Sequence, residues 1–305
     1  MKLRIGTRGS KLALWQAEHV KARLMAEAGA SEVELVVIKT TGDRVQDVAL
    51  SEVGGKGLFT KEIEEALLAG TIDLAVHSMK DVPSVLPEGC ALAAVPERAD
   101  PRDAWVAPAG SAASWADLAD GAIVGTSSLR RARQLALFAP GLATIPLRGN
   151  VDTRLRKVDE GDGGLAAIVL ACAGLGRLGL GHRITAPIPT ELMLPAVGQG
   201  ALAIETRADD ARVRDIVNQL DHPATRYATD AERAFLGRLE GSCRIPIAGH
   251  ATLDGDEIVL RGELFATDDS GRRASGDMRG ALADARSIGV ALADALRAQA
   301  RGFLA

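Results

Sequence analysis

Two hinged α/β lobes followed by a small α+β C-terminal domain are the architecture this sequence predicts, and three observations predict it. Strand-like and helical runs alternate through the first two hundred residues, the pattern of mostly parallel sheets with helical crossovers. Two irregular, proline-containing stretches at 96–103 and 185–195 interrupt that rhythm, as crossings between lobes would. After Pro223 the pattern changes to one helix, a group of strands and a closing helix. The expected division is 1–98 with 198–218, then 99–197, then 222–305.

The elements follow in order. Residues 3–7 read as a short strand, Ser10 as an N-cap, and 12–28 as a helix closed by Gly29. Residues 33–39 are a β-rich strand, 60–68 an amphipathic helix ending at Gly70, and 72–76 a buried strand. Past the first crossing come a strand at 122–125, a helix at 129–138, a strand at 144–147, a helix at 155–160 and an apolar strand at 165–172. Residues 200–205 form a strand returning to the first sheet. The last domain has a helix at 225–240 and strands at 248–253 and 258–265, joined at the Asp254-Gly255 hairpin signal. A turn at 268–271, another strand and an alanine-rich helix at 281–300 complete it. No internal sequence repeat is visible.

Composition narrows the function. Hydrophobic residues make up 47% of the 305, enough for real cores, but aromatics are only 3%, so the cores are aliphatic. The three cysteines form no C-x-x-C pair, which argues against a disulfide framework, a zinc site or a dithiol couple. With no leader-like start and no apolar run of membrane-spanning length, the expectation is a cytoplasmic protein without membrane contact. A formal charge of -4 and few stacking residues argue against nucleic acid as a partner. Of the 36 cations 28 are arginine, either from coding bias or for bidentate recognition of carboxylates or phosphates.

Several segments are candidate sites. Gly-Thr-Ser-Ser-Leu-Arg-Arg at 125–131 follows a strand and opens a helix. Thr126 and Ser128 either cradle an anion with the backbone N–H groups or merely cap the helix. Arg130 and Arg131 oppose the helix dipole in its first turn, a conflict that a bound anion would relieve. Thr7, Arg8, Gly9 and Ser10 repeat the arrangement in the first lobe, and Arg148, Gly149, Asn150 and Arg154 extend the cationic surface at the next strand end. At 77–83, His-Ser-Met-Lys-Asp-Val-Pro leaves a buried strand at its carboxyl end, where open α/β sheets place their chemistry. Asp81 there suits proton exchange or stabilisation of a developing cation and Lys80 suits a carboxylate; alternatively Asp81 only stabilises a turn, and His77 reads as a packed histidine.

Two glycine patterns do not reach a nucleotide motif. VGGKGLF at 53–59 lacks the P-loop spacing and is better described as a glycine loop bearing Lys56 and Phe59. The G-x-G-x-x-G at 174–179, which carries Arg177, has no long helix after it and no acidic residue about twenty positions on. Cys243 lies in GSCRIPI at 241–247, after a helix and before a strand. It is either a small inert hydrophobe or a thiol of modest nucleophilicity, because a helix C-terminus disfavours thiolate while Arg244 partly offsets this.

Taken together, HSMKDVP at 77–83, GTSSLRR at 125–131, LRGN at 147–150, LPAVGQGAL at 194–202 and the Cys243 loop closely resemble the porphobilinogen deaminase (hydroxymethylbilane synthase) family. The resemblance implies a monomeric transferase of tetrapyrrole biosynthesis that joins four porphobilinogen molecules head to tail, with loss of ammonia, into hydroxymethylbilane. It implies a dipyrromethane cofactor held by a thioether to Cys243, with Asp81 as catalytic carboxylate. Ser10, Lys80, Asp81, Thr126, Ser128, Arg130, Arg131 and Gly149 would contact the cofactor, and Arg8, Ser10, Arg148, Arg154 and Arg177 the substrate carboxylates. Lys56 and Phe59 would belong to a loop covering the site, Gln199 would lie at the hinge, and no metal is called for. Because the two-lobed plan is periplasmic-binding-protein-like, a non-catalytic carboxylate-binding protein is the rival reading.

Overall fold

The computed structural model describes residues 1–44, 57–239, 246–268 and 270–303. Lys56 and Cys243, with Ser242 and Arg244, lie outside the described residues. The chain divides into two compact units, Met1–Ala99 with Ala201–Thr229, and Asp100–Gly200 with Asp230–Ala305.

In the first unit, β1 (Lys2–Thr7), β2 (Glu32–Val37), β3 (Leu74–Ser78), β4 (Cys90–Ala94) and β10 (Leu202–Arg207) form one sheet in the order β2-β1-β3-β10-β4. β1 is parallel to β2 and β3, while β10 runs antiparallel to both of its neighbours. Helices α1 (Lys11–Glu27), α2 (Thr41–Arg44), α3 (Lys61–Leu68) and α7 (Ala211–Val217) belong to this unit. Alternation along β3 sends Val76 into the aliphatic cluster around α1 and Ala75 toward Ile63 and Leu67 of α3.

The second unit repeats the plan. β5 (Asp103–Val106), β6 (Ile123–Gly125), β7 (Ala143–Ile145), β8 (Leu165–Ala171) and β9 (Ala186–Ile188) are ordered β7-β6-β8-β5-β9. Again four strands run one way, and the fifth, β5, is antiparallel to the neighbours it separates. Helices α4 (Leu129–Phe138), α5 (Val151–Asp159) and α6 (Cys172–Arg177) connect them. Trp105, Trp115 and Phe138 meet edge to face, so three of the few aromatics fill one core.

The same unit holds most of α8 (Pro223–Leu239), the antiparallel sheet β11 (Ile247–Asp254), β12 (Glu257–Phe265) and β13 (Arg273–Ala281), and α9 (Ala285–Gln299). A Cβ at Gly289 would lie 2.2 Å from the Ala231 carbonyl oxygen, so only glycine lets α9 approach α8 this closely. Among the described residues no helix is long and apolar enough to cross a membrane.

The α/β class is as the sequence predicts; several elements are not. β9 lies inside the stretch expected to be an irregular crossing, and Pro187 is tolerated there because β9 is an edge strand. β4 and β5 are short, and β4 is alanine-rich, which hides it from β propensity. α5 starts four residues earlier than expected because the Asn150 side chain accepts from Thr153 N at 2.9 Å. The G-x-G-x-x-G segment is largely the short helix α6, although glycine disfavours a helix interior.

Candidate active site

In the first unit the carboxyl ends of β1 and β3 open on a pocket lined by Arg8, Ser10, Gln16, Phe59, Ser78 and Asp81, among others. Ser10 caps α1, its Oγ accepting from Ala13 N at 3.3 Å. From the next turn of α1 the buried Gln16 donates from Nε2 to Ser78 Oγ at 2.8 Å, tying that helix to the end of β3. A single 3-10 turn, Met79–Asp81, then carries Lys80 and Asp81 to the exposed surface. Among the described residues no hydrogen bond or ion pair holds the Asp81 carboxylate. A carboxylate so placed is available to a cationic centre in the pocket.

Arg8, expected to meet a ligand carboxylate, meets Asp43 instead. Its Nε lies 3.1 Å from Asp43 Oδ1, and its guanidinium stands 4.1 Å from the centre of the Phe59 ring. Burial opposes ionisation of Asp43, but the bonds from Arg8 and Thr40 outweigh it and hold the carboxyl below its ordinary range. Sequence reading missed Asp43, which carries no signal beyond its charge.

In the second unit the corresponding corner lies between β6 and α4. Ser128 caps α4 by accepting from Arg131 N at 3.4 Å, and Thr126 Oγ1 accepts from Ser128 N at 3.2 Å. These hydroxyls therefore perform the capping role that the sequence left open. Arg130 and Arg131 are buried and converge on Asp103 at the start of β5: Arg130 donates to Asp103 Oδ2 at 2.8 Å and Arg131 Nε to Oδ1 at 2.9 Å. Gln199 completes the cluster, donating from Nε2 to Asp103 Oδ1 at 3.0 Å and to the Pro101 carbonyl at 2.8 Å. The anion that relieves the conflict with the helix dipole is thus supplied in part by the chain itself. Asp103 is fully buried, yet the charges of Arg130 and Arg131 overcome that cost and hold its carboxyl far below the ordinary range.

More cation than anion remains. Burial, reinforced by the charges of Arg131 and Arg148, pushes Arg154 down to about 10, and burial alone pushes Arg177 down to about 10. Arg154 Nε is held by the Gly149 carbonyl at 2.8 Å, and Arg177 by the Gly200 carbonyl at 2.6 Å. Gly149 adopts φ +111, and a Cβ there would lie 2.8 Å from Thr153 Cγ2, so the turn that presents Arg148 requires glycine. Guanidinium groups gathered in this way are suited to pairing with carboxylates.

The motifs and geometry agree with comparisons to known proteins. Residues 3–215 match the family model described as porphobilinogen deaminase, dipyromethane cofactor binding domain, and residues 227–298 match the model of the porphobilinogen deaminase C-terminal domain. The chain belongs to the porphobilinogen deaminase family. It is 50% identical to the porphobilinogen deaminase of Geobacter sulfurreducens over 297 residues, covering 97% of this chain and 92% of that one. The porphobilinogen deaminase of Nitratidesulfovibrio vulgaris is 54% identical over 294 residues, covering 95% and 91%. Among solved structures, the BvgS periplasmic VFT2 domain of Bordetella pertussis matches with a TM-score of 0.41 at 17% identity, covering 77% of this chain and 90% of that one.

The donor set fits the cofactor of porphobilinogen deaminases. A dipyrromethane bearing carboxylate side chains needs cations, hydroxyls and backbone N–H groups, and the second unit gathers them at the ends of β6, β7 and β8. Arg130 and Arg131 reach such a group only with Asp103 already between them, a constraint that the motif alone did not reveal.

Proposed function

We propose that this chain condenses four porphobilinogen molecules head to tail, releasing four ammonia molecules, and that one water supplies the terminal hydroxyl on release, to give hydroxymethylbilane for tetrapyrrole biosynthesis. In each addition the aminomethyl C–N bond breaks and ammonia leaves with the electron pair. The free α-carbon of the growing chain attacks the resulting cationic methylene, and a C–C bond forms. The proton lost from that carbon departs with ammonia as ammonium.

The observation that carries this reading is the Asp81 carboxylate, exposed in a pocket at the carboxyl end of β3 with no ion pair among the described residues. It stabilises the azafulvenium that forms when ammonia leaves substrate. Dipyrromethane, when bound, supplies the first pyrrole α-carbon and remains with the enzyme. Cys243 is its thioether tether, and Ser10, Lys80, Thr126, Ser128, Arg130, Arg131 and the Gly149 backbone orient it. Arg8, Arg148, Arg154 and Arg177 bind the acetate and propionate groups of incoming porphobilinogen, while Lys56 and Phe59 cover the site. The working division is three domains, 1–98 with 198–218, 99–197 and 222–305, in a cytoplasmic monomer that has no nucleic-acid partner.

Intact-protein mass spectrometry of wild type and Cys243→Ala tests the assignment. The wild type is expected to exceed its sequence mass by two linked pyrroles, and the variant to carry no excess. An excess that survives in the variant moves the tether elsewhere, and an unmodified wild type overturns the reading.

A further inference from the structure

Helix α4 buries one more polar side chain on the face that carries Arg130, and the condensation chemistry assigns it no role. Gln134 follows Arg130 by one helical turn, an i,i+4 pair on one face, and is 2% exposed. Its amide grips both backbone groups of a single residue: Oε1 accepts from Leu194 N at 2.6 Å, and Nε2 donates to the Leu194 carbonyl at 3.0 Å. The second Nε2 hydrogen goes to the Arg130 carbonyl, 3.4 Å away. A primary amide offers acceptor and donor side by side, which a carboxylate or a hydrocarbon of the same length does not.

The Leu194 carbonyl has a second donor, Arg130 Nη1 at 2.7 Å, and Nη1 also donates to Asp103 Oδ2 at 2.8 Å. Two acceptors on one nitrogen fix the plane of the guanidinium, because its N–H groups form a rigid fork. Among the described residues Arg130 Nε and Nη2 make no hydrogen bond, so that edge is the one left to receive a carboxylate in bidentate fashion. Arg131 is held differently: its Nε and Nη2 lie 2.9 and 2.8 Å from Asp103 Oδ1, and its Nη1 donates to the Val169 carbonyl at 3.0 Å. The other carboxylate in the field of Arg130 is Glu263 of β12, which lies 3.5 Å from Arg273; burial pushes it up, and the charges of Arg273, Arg261 and Arg130 oppose the rise. Leu194 is buried with Ala248 and Phe265, and the Pro195 carbonyl accepts from Gly249 N at 3.0 Å. Those contacts hold the segment in place, but the direction of the Leu194 carbonyl is left to Gln134 and Arg130.

We propose that Gln134 is a positioning residue for Arg130, acting through the Leu194 carbonyl. It clamps Leu194 so that the carbonyl meets Nη1, and thereby fixes which edge of Arg130 is free to pair with a ligand carboxylate. Without the amide the Leu194 carbonyl has no second donor to hold it, and Asp103 becomes the one fixed anchor of the guanidinium. Arg130 then turns about that single bond, and whatever it holds loses its fixed geometry. In the deaminase reading the carboxylate belongs to the dipyrromethane, so the consequence for turnover rests on that reading; the aim of Arg130 does not.

Crystal structures of the wild-type and Gln134→Met holoenzymes test the aim directly, since the substitution keeps the length of the side chain and removes all of its hydrogen bonds. The Arg130 guanidinium is expected to leave the Leu194 carbonyl while keeping its bond to Asp103. An Arg130 that retains both bonds at the wild-type distances overturns the proposal. Steady-state kinetics, expressed per molecule whose intact mass includes the two linked pyrroles, tests the consequence. In Gln134→Met kcat should fall about tenfold, the scale of one hydrogen bond to a charged group, with KM for porphobilinogen nearly unchanged because Arg130 is not assigned to the incoming substrate. A lowered thermal midpoint with unchanged kcat would reduce Gln134 to a structural clamp and overturn the positioning role. Gln134→Glu is the second variant should the first fail to accumulate: it keeps an acceptor for Leu194 N, loses only the donor to the carbonyl, and is expected to show the same displacement and the same split between kcat and KM. A wild type without deaminase activity would sink the deaminase reading, while the crystal structures still decide the aim of Arg130.

Discussion

The two sheets share one strand order and place a serine-capped helix after an inner strand, Ser10 before α1 and Ser128 before α4, yet their corners have opposite electrostatics. The first unit neutralises its arginine, Arg8, with Asp43 and leaves a carboxylate, Asp81, for the pocket. The second unit neutralises its carboxylate, Asp103, and leaves arginine in excess. The Arg8–Asp43 pair has side chains 22% and 27% exposed, whereas Asp103 is fully buried with its two arginines. One pair is adjustable, and the other is part of the core. Identical topology therefore supplies a place for charge but not its sign, which depends on which carboxylate each sheet brings within reach.

The largest expected effect lies in the buried cluster. Asp103→Asn leaves Arg130 and Arg131 side by side without their anion and should destabilise the second unit by about 3–5 kcal/mol, measured by urea unfolding of the holoenzyme. A loss below about 1 kcal/mol would mean that the cluster is no more structural than a surface pair. The pH dependence has a definite sign. Because the folded state holds the Asp103 carboxyl well below its ordinary value of 3.8, this stabilisation is complete above about pH 4 and lost as pH falls through the lower folded value. Wild type and variant should converge only in strong acid.

Asp81→Ala comes next. It removes a carboxylate that has no ion pair among the described residues, and kcat should fall by about 10²–10³ while stability stays within roughly 0.5 kcal/mol, since the residue is exposed. Unchanged turnover would end the contrast between the two units. Arg154→Gln is a smaller test on the other side: relief from Arg131 and Arg148 should leave stability unchanged or slightly raised, while KM for porphobilinogen rises and becomes less sensitive to salt. The smallest effect belongs to Asp43→Asn. A partly exposed pair contributes about 0–1 kcal/mol, so the variant should unfold almost as wild type does while Arg8 becomes free to bind anions more tightly.

These contrasts separate what was legible in the chain from what was not. Ser10 was readable as a cap, and Ser128 as one of two readings, because the capping bond spans three residues, and α4 was readable over its whole length because its start and end signals are local. Asp103 was read as part of a polar crossing, since nothing near it in sequence marks its partners, which lie 27 and 28 residues away. Glu205 is 128 residues from His77 and was invisible for the same reason. The shared strand order was hidden too, because strands of three to seven residues can repeat a topology without repeating a sequence.

The sequence by itself determined the α/β class, the Ser10 cap and the motifs that identify the family, all of which depend on residues close together in the chain. Tertiary structure alone decided the state of the charges. It buried Asp103 with Arg130 and Arg131, set Asp43 against Arg8 and paired His77 with Glu205. The physical reason is that a charged group's energy depends on its desolvation and its nearest opposite charge, and only the packed sheets determine both.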